Sequence, residues 1–240
     1  MSKGLAYLVL YEKREGELYI NINHKTFFCS WSGGKDSCLS LYHALKQGGI
    51  PKRLITMLIE NGERSRSHGL SLNLLKKQSE SLNIPLDTYA TSWEDYETHF
   101  ITALKEMKES GIHIGVFGDI DIDDHKKWVK KVCHKTNMSA YLPLWKNPRR
   151  KIVNEFIDCG FKATVVAIKD KLLSKEILGR ELSKDLIKIF EKRGVDPAGE
   201  NGEYHTMVTG GPIFTNDIEY KLEDKIFFNG YWFQNVSVEK

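Results

Sequence analysis

The run Thr26–Ser37, TFFCSWSGGKDS, constrains this chain more than any other stretch. An apolar, β-prone segment passes into Ser32-Gly33-Gly34-Lys35-Asp36-Ser37 and then into the helix-like SCLSLYHALKQ. The order is strand, glycine turn, helix start. Two adjacent glycines let the backbone turn tightly and bring bare N–H groups close to an anion. A helix N-terminus adds unpaired donors and the positive end of its dipole. Lys35 adds a mobile charge, and Ser32 and Ser37 add hydroxyls. Such a site suits phosphate or pyrophosphate. It is not a Walker A loop, which needs G-x-x-x-x-G-K-[ST]: Cys29 stands five residues before Gly34, and Asp36 follows the lysine. An ordinary glycine turn capping a helix is the alternative, and the complete six-residue string after the first core strand argues against it.

At 240 residues with 41% hydrophobic side chains, the chain has the length for one large α/β domain, or one domain with an appendage, and the apolar content for a substantial core. The net charge of +3 is spread along the chain, which speaks against a nucleic-acid surface. The local run Arg149-Arg150-Lys151 reads as a solvated helix start. No apolar run reaches membrane-spanning length and no signal-peptide pattern opens the chain, so a soluble cytoplasmic protein is expected. Cys29, Cys38, Cys133 and Cys159 form no C-x-x-C pair, so they read as reduced, buried thiols.

Taken in order, residues 5–11 and 17–22 predict a β-hairpin before the glycine-loop strand. Strands are expected at Arg53–Ile59, Pro85–Ala90 and His113–Gly118. Helices are expected to about Ser81 and over Trp93–Ser110, and Glu60–His68 reads as a polar loop holding Arg64, Arg66 and His68. This alternation predicts a parallel sheet with helices on both faces, where ligands bind at the carboxyl ends of the strands. Asp119, just after the fourth strand, is therefore placed to face the glycine loop. Asp121 or Asp123 reads as a helix N-cap in preference to a metal ligand. His125 reads either as a catalytic or substrate group or as a surface residue of a helix first turn. Tyr141–Trp145 reads as extended, then a helix through Asn154–Cys159, a strand at Lys162–Ile168 and a helix at Leu182–Lys192. Val195–Gly211 is a polar, glycine-rich loop and a functional candidate. Short antiparallel strands are expected at Ile213–Phe214, Ile218–Leu222, Lys225–Phe228 and Tyr231–Val238, with Asn229-Gly230 as a hairpin turn. The division expected is a hairpin extension over 1–25, a nucleotide-binding domain over 26–145 and a smaller C-terminal α+β domain over 146–240.

The string SGGKDS resembles the PP-loop of the ATP pyrophosphatases, the adenosine nucleotide α-hydrolase superfamily. It stands with Gly118-Asp119-Ile120, Pro143-Leu144-Trp145, Gly160-Phe161-Lys162-Ala163, Leu178-Gly179-Arg180 and the loop Gly199-Glu200-Asn201-Gly202-Glu203-Tyr204-His205-Thr206. Together these resemble the diphthine–ammonia ligase family, most closely its short prokaryotic branch, over about residues 26–215. The resemblance implies a Rossmann-like, HUP-type α/β fold. It also implies an ATP-dependent, AMP-forming ligase that adenylates a carboxylate and passes it to ammonia, as in diphthine to diphthamide on elongation factor 2.

That chemistry gives the motif residues implied roles. Ser32, Gly33, Gly34, Lys35, Asp36 and Ser37 would hold ATP, their donors stabilising the departing pyrophosphate. Asp36 would hold Mg²⁺, with capping of its own helix as the alternative. Lys35, Asp119, Glu200, Glu203 and His205 would be the catalytic set, the two glutamates binding ammonium and removing its proton. The alternative for those glutamates is a structural loop whose carboxylates cap backbone N–H groups. His125, Trp145, Arg180, Asn201 and Tyr204 would bind substrate. For Arg180 a surface salt bridge competes with that role, and for Trp145 a place as a core anchor. Ala198 stands where the family commonly has cysteine, so a mechanism needing that thiol does not carry over. No cysteine opens the chain as a glutaminase nucleophile, so free ammonia or a separate subunit would supply nitrogen. Two readings compete: adenylation of another acceptor, a tRNA or a small molecule, and a nucleotide-binding module without turnover. A homodimer is left open.

Overall fold

The computed structural model describes residues 11–14 and 17–239. Its first pair is antiparallel, β1 (Tyr11–Arg14) against β2 (Glu17–Ile20). This is the expected hairpin, although residues 5–10 and the turn at 15–16 lie outside the described residues.

The next strand is β3 (Thr26–Ser30), whose Phe27, Phe28 and Cys29 are fully buried. A strand covered on both faces carries a continuous apolar run, and its side chains still alternate between the faces. Phe27 and Cys29 accordingly enter one core and Phe28 the other. The strand leads through the glycine loop into α1 (Lys35–Lys46). Then follow β4 (Ile50–Leu58), α2 (Leu72–Leu82), β5 (Leu86–Ala90), α3 (Tyr96–Glu109), β6 (Ile114–Val116), α4 (Asp123–Lys135) and β7 (Ser139–Tyr141). Among the described residues these strands form a five-stranded sheet of order β5-β4-β3-β6-β7, parallel throughout. Helices α3 and α4 cover the Phe28 face, while α1 and α2 cover the Phe27 face.

Helix α5 (Arg149–Asp158) crosses to the second half, built from β8 (Lys162–Lys169), α6 (Lys184–Lys192), β9 (Tyr204–Gly210), β10 (Tyr220–Phe228) and β11 (Tyr231–Val238). Its four strands are antiparallel in the order β10-β11-β8-β9. The Phe27-side core is continuous with this half: Leu39 and Leu75 belong to the same apolar cluster as Val165, Leu186 and Met207.

Several expectations are corrected. Tyr141 ends a fifth parallel strand, and residues 143–146 form a turn instead of an extended segment. Val195–Gly211 is loop only in its first half, because Tyr204–Gly210 is a strand paired along β8. Ile213 and Phe214 are not strand, and residues 218–228 hold one long strand in place of two short ones. Cys29, Cys38 and Cys133 are buried free thiols, whereas Cys159 is half-buried.

Candidate functional site

The glycine loop lies at the carboxyl end of β3, with Gly33 in the left-handed region at φ 78°. A Cβ there would stand 2.6 Å from Leu70 Cδ1 and 2.7 Å from Gln78 Oε1, so glycine is required for space as well as for φ. Gln78 is fully buried. Its amide donates to Gly33 O (3.0 Å) and Val208 O (2.8 Å), and its carbonyl accepts from Trp31 Nε1 (2.9 Å). Val208 N also donates to Gly33 O at 2.9 Å. The loop is thus clamped between α2 and β9.

Helix α1 starts at Gly34 with no side-chain cap of its own. Thr206 of β9 takes that place, its Oγ1 accepting from Lys35 N at 3.1 Å. Ser32 and Ser37 hydroxyls lie 3.0 Å apart, and Ser37 Oγ donates to Gly34 O. Lys35 is buried, with Nζ 2.7 Å from Asp36 Oδ2 and 5.3 Å from the Tyr204 ring centroid. Burial opposes its charge, but Asp36, Tyr204 and Glu200 outweigh burial and hold the ammonium protonated. Asp36 is raised, mainly by burial and against the pull of Lys35, and its Oδ1 is covered without a hydrogen-bond partner.

Gly118 brings the next group in. A Cβ at Gly118 would lie 2.9 Å from Ser37 N, so the backbone after β6 packs directly on the first turn of α1. Asp119 follows, and its Oδ1 stands 3.4 Å from Nδ1 of the exposed His125. The contact with Asp119 raises the pKa of His125. Asp121 and Asp123 are not the N-cap: Ile122 occupies that position without a side-chain cap bond. Asp121 instead forms a two-point pair with Arg149, 2.7 Å on each arm, and Arg149 Nη1 reaches Asp196 Oδ2 at 2.7 Å. The expectation that Arg149 is merely solvated is therefore corrected. It joins the Asp121 segment to the loop before β9.

Within that loop the carboxylates divide. Asp196 accepts from Ala198 N (3.0 Å) and Glu200 N (2.8 Å). Glu203, buried, accepts from Asn201 N and Nδ2 at 3.0 Å each and from Asp196 N at 3.4 Å. Asn201 is exposed, and Tyr204 is buried with its hydroxyl donating to Pro197 O at 2.6 Å. Glu200 carries no such loop bond. Burial pushes its carboxyl up to about 7, Asp36 and Asp119 add to this, and Lys35 and Arg149 oppose it. Lys35, Asp36, Asp119, Arg149 and Glu200 thus form one electrostatic cluster drawn from both halves.

His205 lies beside this cluster, its ring centroid 4.6 Å from that of His68, a residue that the sequence marked only as part of a polar loop. No spacing signal singles His68 out, because its partner is 137 positions away along the chain. Two lysine ammonium groups, Lys126 (4.3 Å) and Lys146 (5.0 Å), lie over the half-buried Trp145 ring. Arg180 stands apart: it is exposed, and its backbone carbonyl accepts from Val165 N. A cavity of about 70 Å³ opens beside Ser32 at the ends of β3 and β4, lined among others by Trp31, Thr56, Arg66, Trp93 and Tyr96. Arg66 lies over the Trp93 ring at 4.8 Å.

Residues 25–140 match the model of the diphthamide synthase N-terminal domain, and residues 148–239 match that of the C-terminal domain. The chain belongs to the diphthamide synthase family. Among characterised proteins, it is similar to diphthine–ammonia ligase of Mus musculus, 23% identical over 86% of each chain. The protein of the same name from Danio rerio is 26% identical over 78% of this chain and 83% of its own length. That of Schizosaccharomyces pombe is 25% identical over 78% of this chain, which spans only 34% of the yeast protein. No helix among the described residues is long and apolar enough to cross a membrane.

Proposed function

We propose that this protein is an ATP-dependent ligase that activates a carboxylate as its adenylate and transfers it to ammonia, releasing AMP and pyrophosphate. The diphthine group of elongation factor 2 is the acceptor this reading favours. The observation that carries it is the meeting of the glycine loop after β3, with its buried Lys35–Asp36 pair, and Glu200 of the facing loop, a carboxyl free of loop bonds that burial raises to about 7.

A carboxylate acylates poorly because oxide is a poor leaving group. Attack of its oxygen on the α-phosphate forms the acyl–phosphate bond and breaks the α–β bridge, so negative charge builds on pyrophosphate. The Lys35 ammonium and the hydroxyls of Ser32 and Ser37 would stabilise that charge as it develops. The cavity beside Ser32 suits the adenine ring, with Trp93 and Tyr96 as flat apolar walls.

Ammonium must lose a proton before its nitrogen can attack the acyl carbon. A carboxyl raised to about 7 is a stronger base than an ordinary glutamate and is about half ionised in neutral solution. Glu200 takes that role. Glu203 is a positioning residue, because its oxygens are occupied by the loop's own N–H groups. His125, paired with Asp119, and Trp145 between two lysines would line the acceptor side; Arg180 is left outside it.

The described residues hold no cluster of three acidic, histidine or cysteine side chains for a metal. The partnerless Asp36 Oδ1 nevertheless fits Mg²⁺, which is commonly held by one or two carboxylates together with nucleotide phosphates. When bound it would neutralise phosphate charge. The test is production of AMP and pyrophosphate from Mg-ATP and ammonium, with and without diphthine-bearing elongation factor 2, using Lys35→Ala as the blank. Turnover that requires the factor supports the reading. ATP binding without turnover on the factor would exclude this acceptor.

A further inference from the structure

His68 and His205 meet over the glycine loop from opposite halves of the molecule. His68 comes from the loop after β4, and His205 is the second residue of β9. Their planes are tilted by 50°. The His68 ring packs on Gly34 so closely that a Cβ there would be 2.5 Å from Nε2 and 2.9 Å from Cδ2. His68 Nδ1 is covered and has no hydrogen-bond partner. A covered polar atom of this kind calls for an explanation, and a ligand that supplies the missing partner is one.

The charged and titratable groups around the pair are few. Lys35 and its partner Asp36 face it from α1, Tyr204 neighbours His205 on β9, Glu200 lies in the preceding loop, and the Tyr231 ring approaches from β11, 6.5 Å from His205. Burial lowers both imidazoles, His205 to about 4, aided by the Lys35 ammonium and, for His68, by its neighbour His205, so both are neutral. An arriving polyphosphate adds negative charge beside the pair and favours imidazolium.

Resting on the ATP-dependent reading above, we propose that His68 and His205 together receive the β,γ-phosphate end of the nucleotide, and that one imidazole takes a proton from solution as that anion docks. The proton forms an N–H bond at a ring nitrogen and leaves again when pyrophosphate is released. The pair would then distinguish nucleotides that carry the terminal phosphates from AMP, which lacks them.

Isothermal titration calorimetry of the full chain tests this. The titrants are pyrophosphate, ATP and AMP, each at neutral pH in buffers of low and high ionisation enthalpy. Glu200→Gln serves as the background, so that the glutamate's own titration is removed. The expected result is uptake of roughly one proton per pyrophosphate or ATP and little with AMP. His68→Gln and His205→Gln should each weaken pyrophosphate about tenfold and cut the uptake, while leaving AMP affinity unchanged. Thermal unfolding confirms that each variant is folded, and each histidine serves as the check on the other. Pyrophosphate binding without proton uptake, or uptake unchanged in both variants, overturns the histidine role alone. Failure of all three titrants to bind overturns the nucleotide reading as well.

Discussion

The glycine loop at 32–37 and the acidic loop at 196–203 face each other, yet they are held in different ways. The acidic loop closes on itself, with Asp196 and Glu203 accepting from N–H groups two to seven residues away. The glycine loop adds to its own serine bonds a hold from outside, by Gln78 of α2, Val208 and Thr206 of β9 and the backbone at Gly118. A loop that closes itself can afford one unbonded carboxylate, Glu200. A loop held by others takes its shape from α2 and β9, with Lys35 N bonded to Thr206 and Gly33 O to Gln78 and Val208. Arg149 ties the first arrangement to the second through Asp196 and Asp121.

The sharpest way to break this comparison is at the charge the two loops share. Lys35→Ala should cut AMP and pyrophosphate production roughly 100- to 1,000-fold, since it removes a preorganised donor at the leaving group. Steady-state kinetics with ATP, ammonium and diphthine-bearing elongation factor 2 measure it. Glu200→Gln should lower ammonia-dependent turnover by roughly 100-fold while ATP binding persists.

The pH behaviour of Glu200 sharpens that second contrast. Its carboxyl is raised from an ordinary 4.5 to about 7. Its stabilising contribution is therefore full below 4.5 and is lost as pH rises through about 7. Activity should move the other way, rising as the base ionises near 7. Urea unfolding and initial rates across this range should show the two opposed slopes, and Glu200→Gln should flatten both.

Arg149→Ala should cost roughly 2 kcal/mol, because it strands Asp196 and Asp121 without their charged donor in a partly exposed setting. Urea denaturation measures the cost. Glu203→Gln keeps the shape but weakens three accepted bonds, and a loss of about 1–2 kcal/mol is expected, again by urea denaturation. Turnover per folded molecule should fall far less than in Glu200→Gln. The smallest change is Thr206→Val. It removes the borrowed cap of α1 for about 1 kcal/mol, and the shift appears in the thermal midpoint.

Much of the architecture is legible in the sequence. The unbroken apolar run at Phe27–Cys29 marks a strand buried on both faces, and the glycine pair marks the turn after it. The alternation of strand and helix marks the parallel sheet. The second half was harder to read. Tyr204–Gly210 carries His205, Thr206 and Thr209 at positions where a simple strand would place apolar residues. Polarity kept for a neighbouring loop masks the strand period. Arg149 looked solvated because both of its acidic partners are distant in the chain, 28 and 47 positions away. Glu200 and Glu203 are the same residue type three positions apart, and no local pattern says which one stays free of the loop.

The sequence by itself determined the glycine loop, the sheet that carries it and the group of residues from which the site is drawn, because those follow from neighbours within one strand–turn–helix unit. Only the tertiary structure decided which carboxylate faces Lys35, which threonine caps α1, that Arg149 bridges two aspartates and that His68 meets His205. Each of those outcomes depends on burial and on charges brought together from distant parts of the chain, and burial sets both the protonation of a group and the partner it can reach.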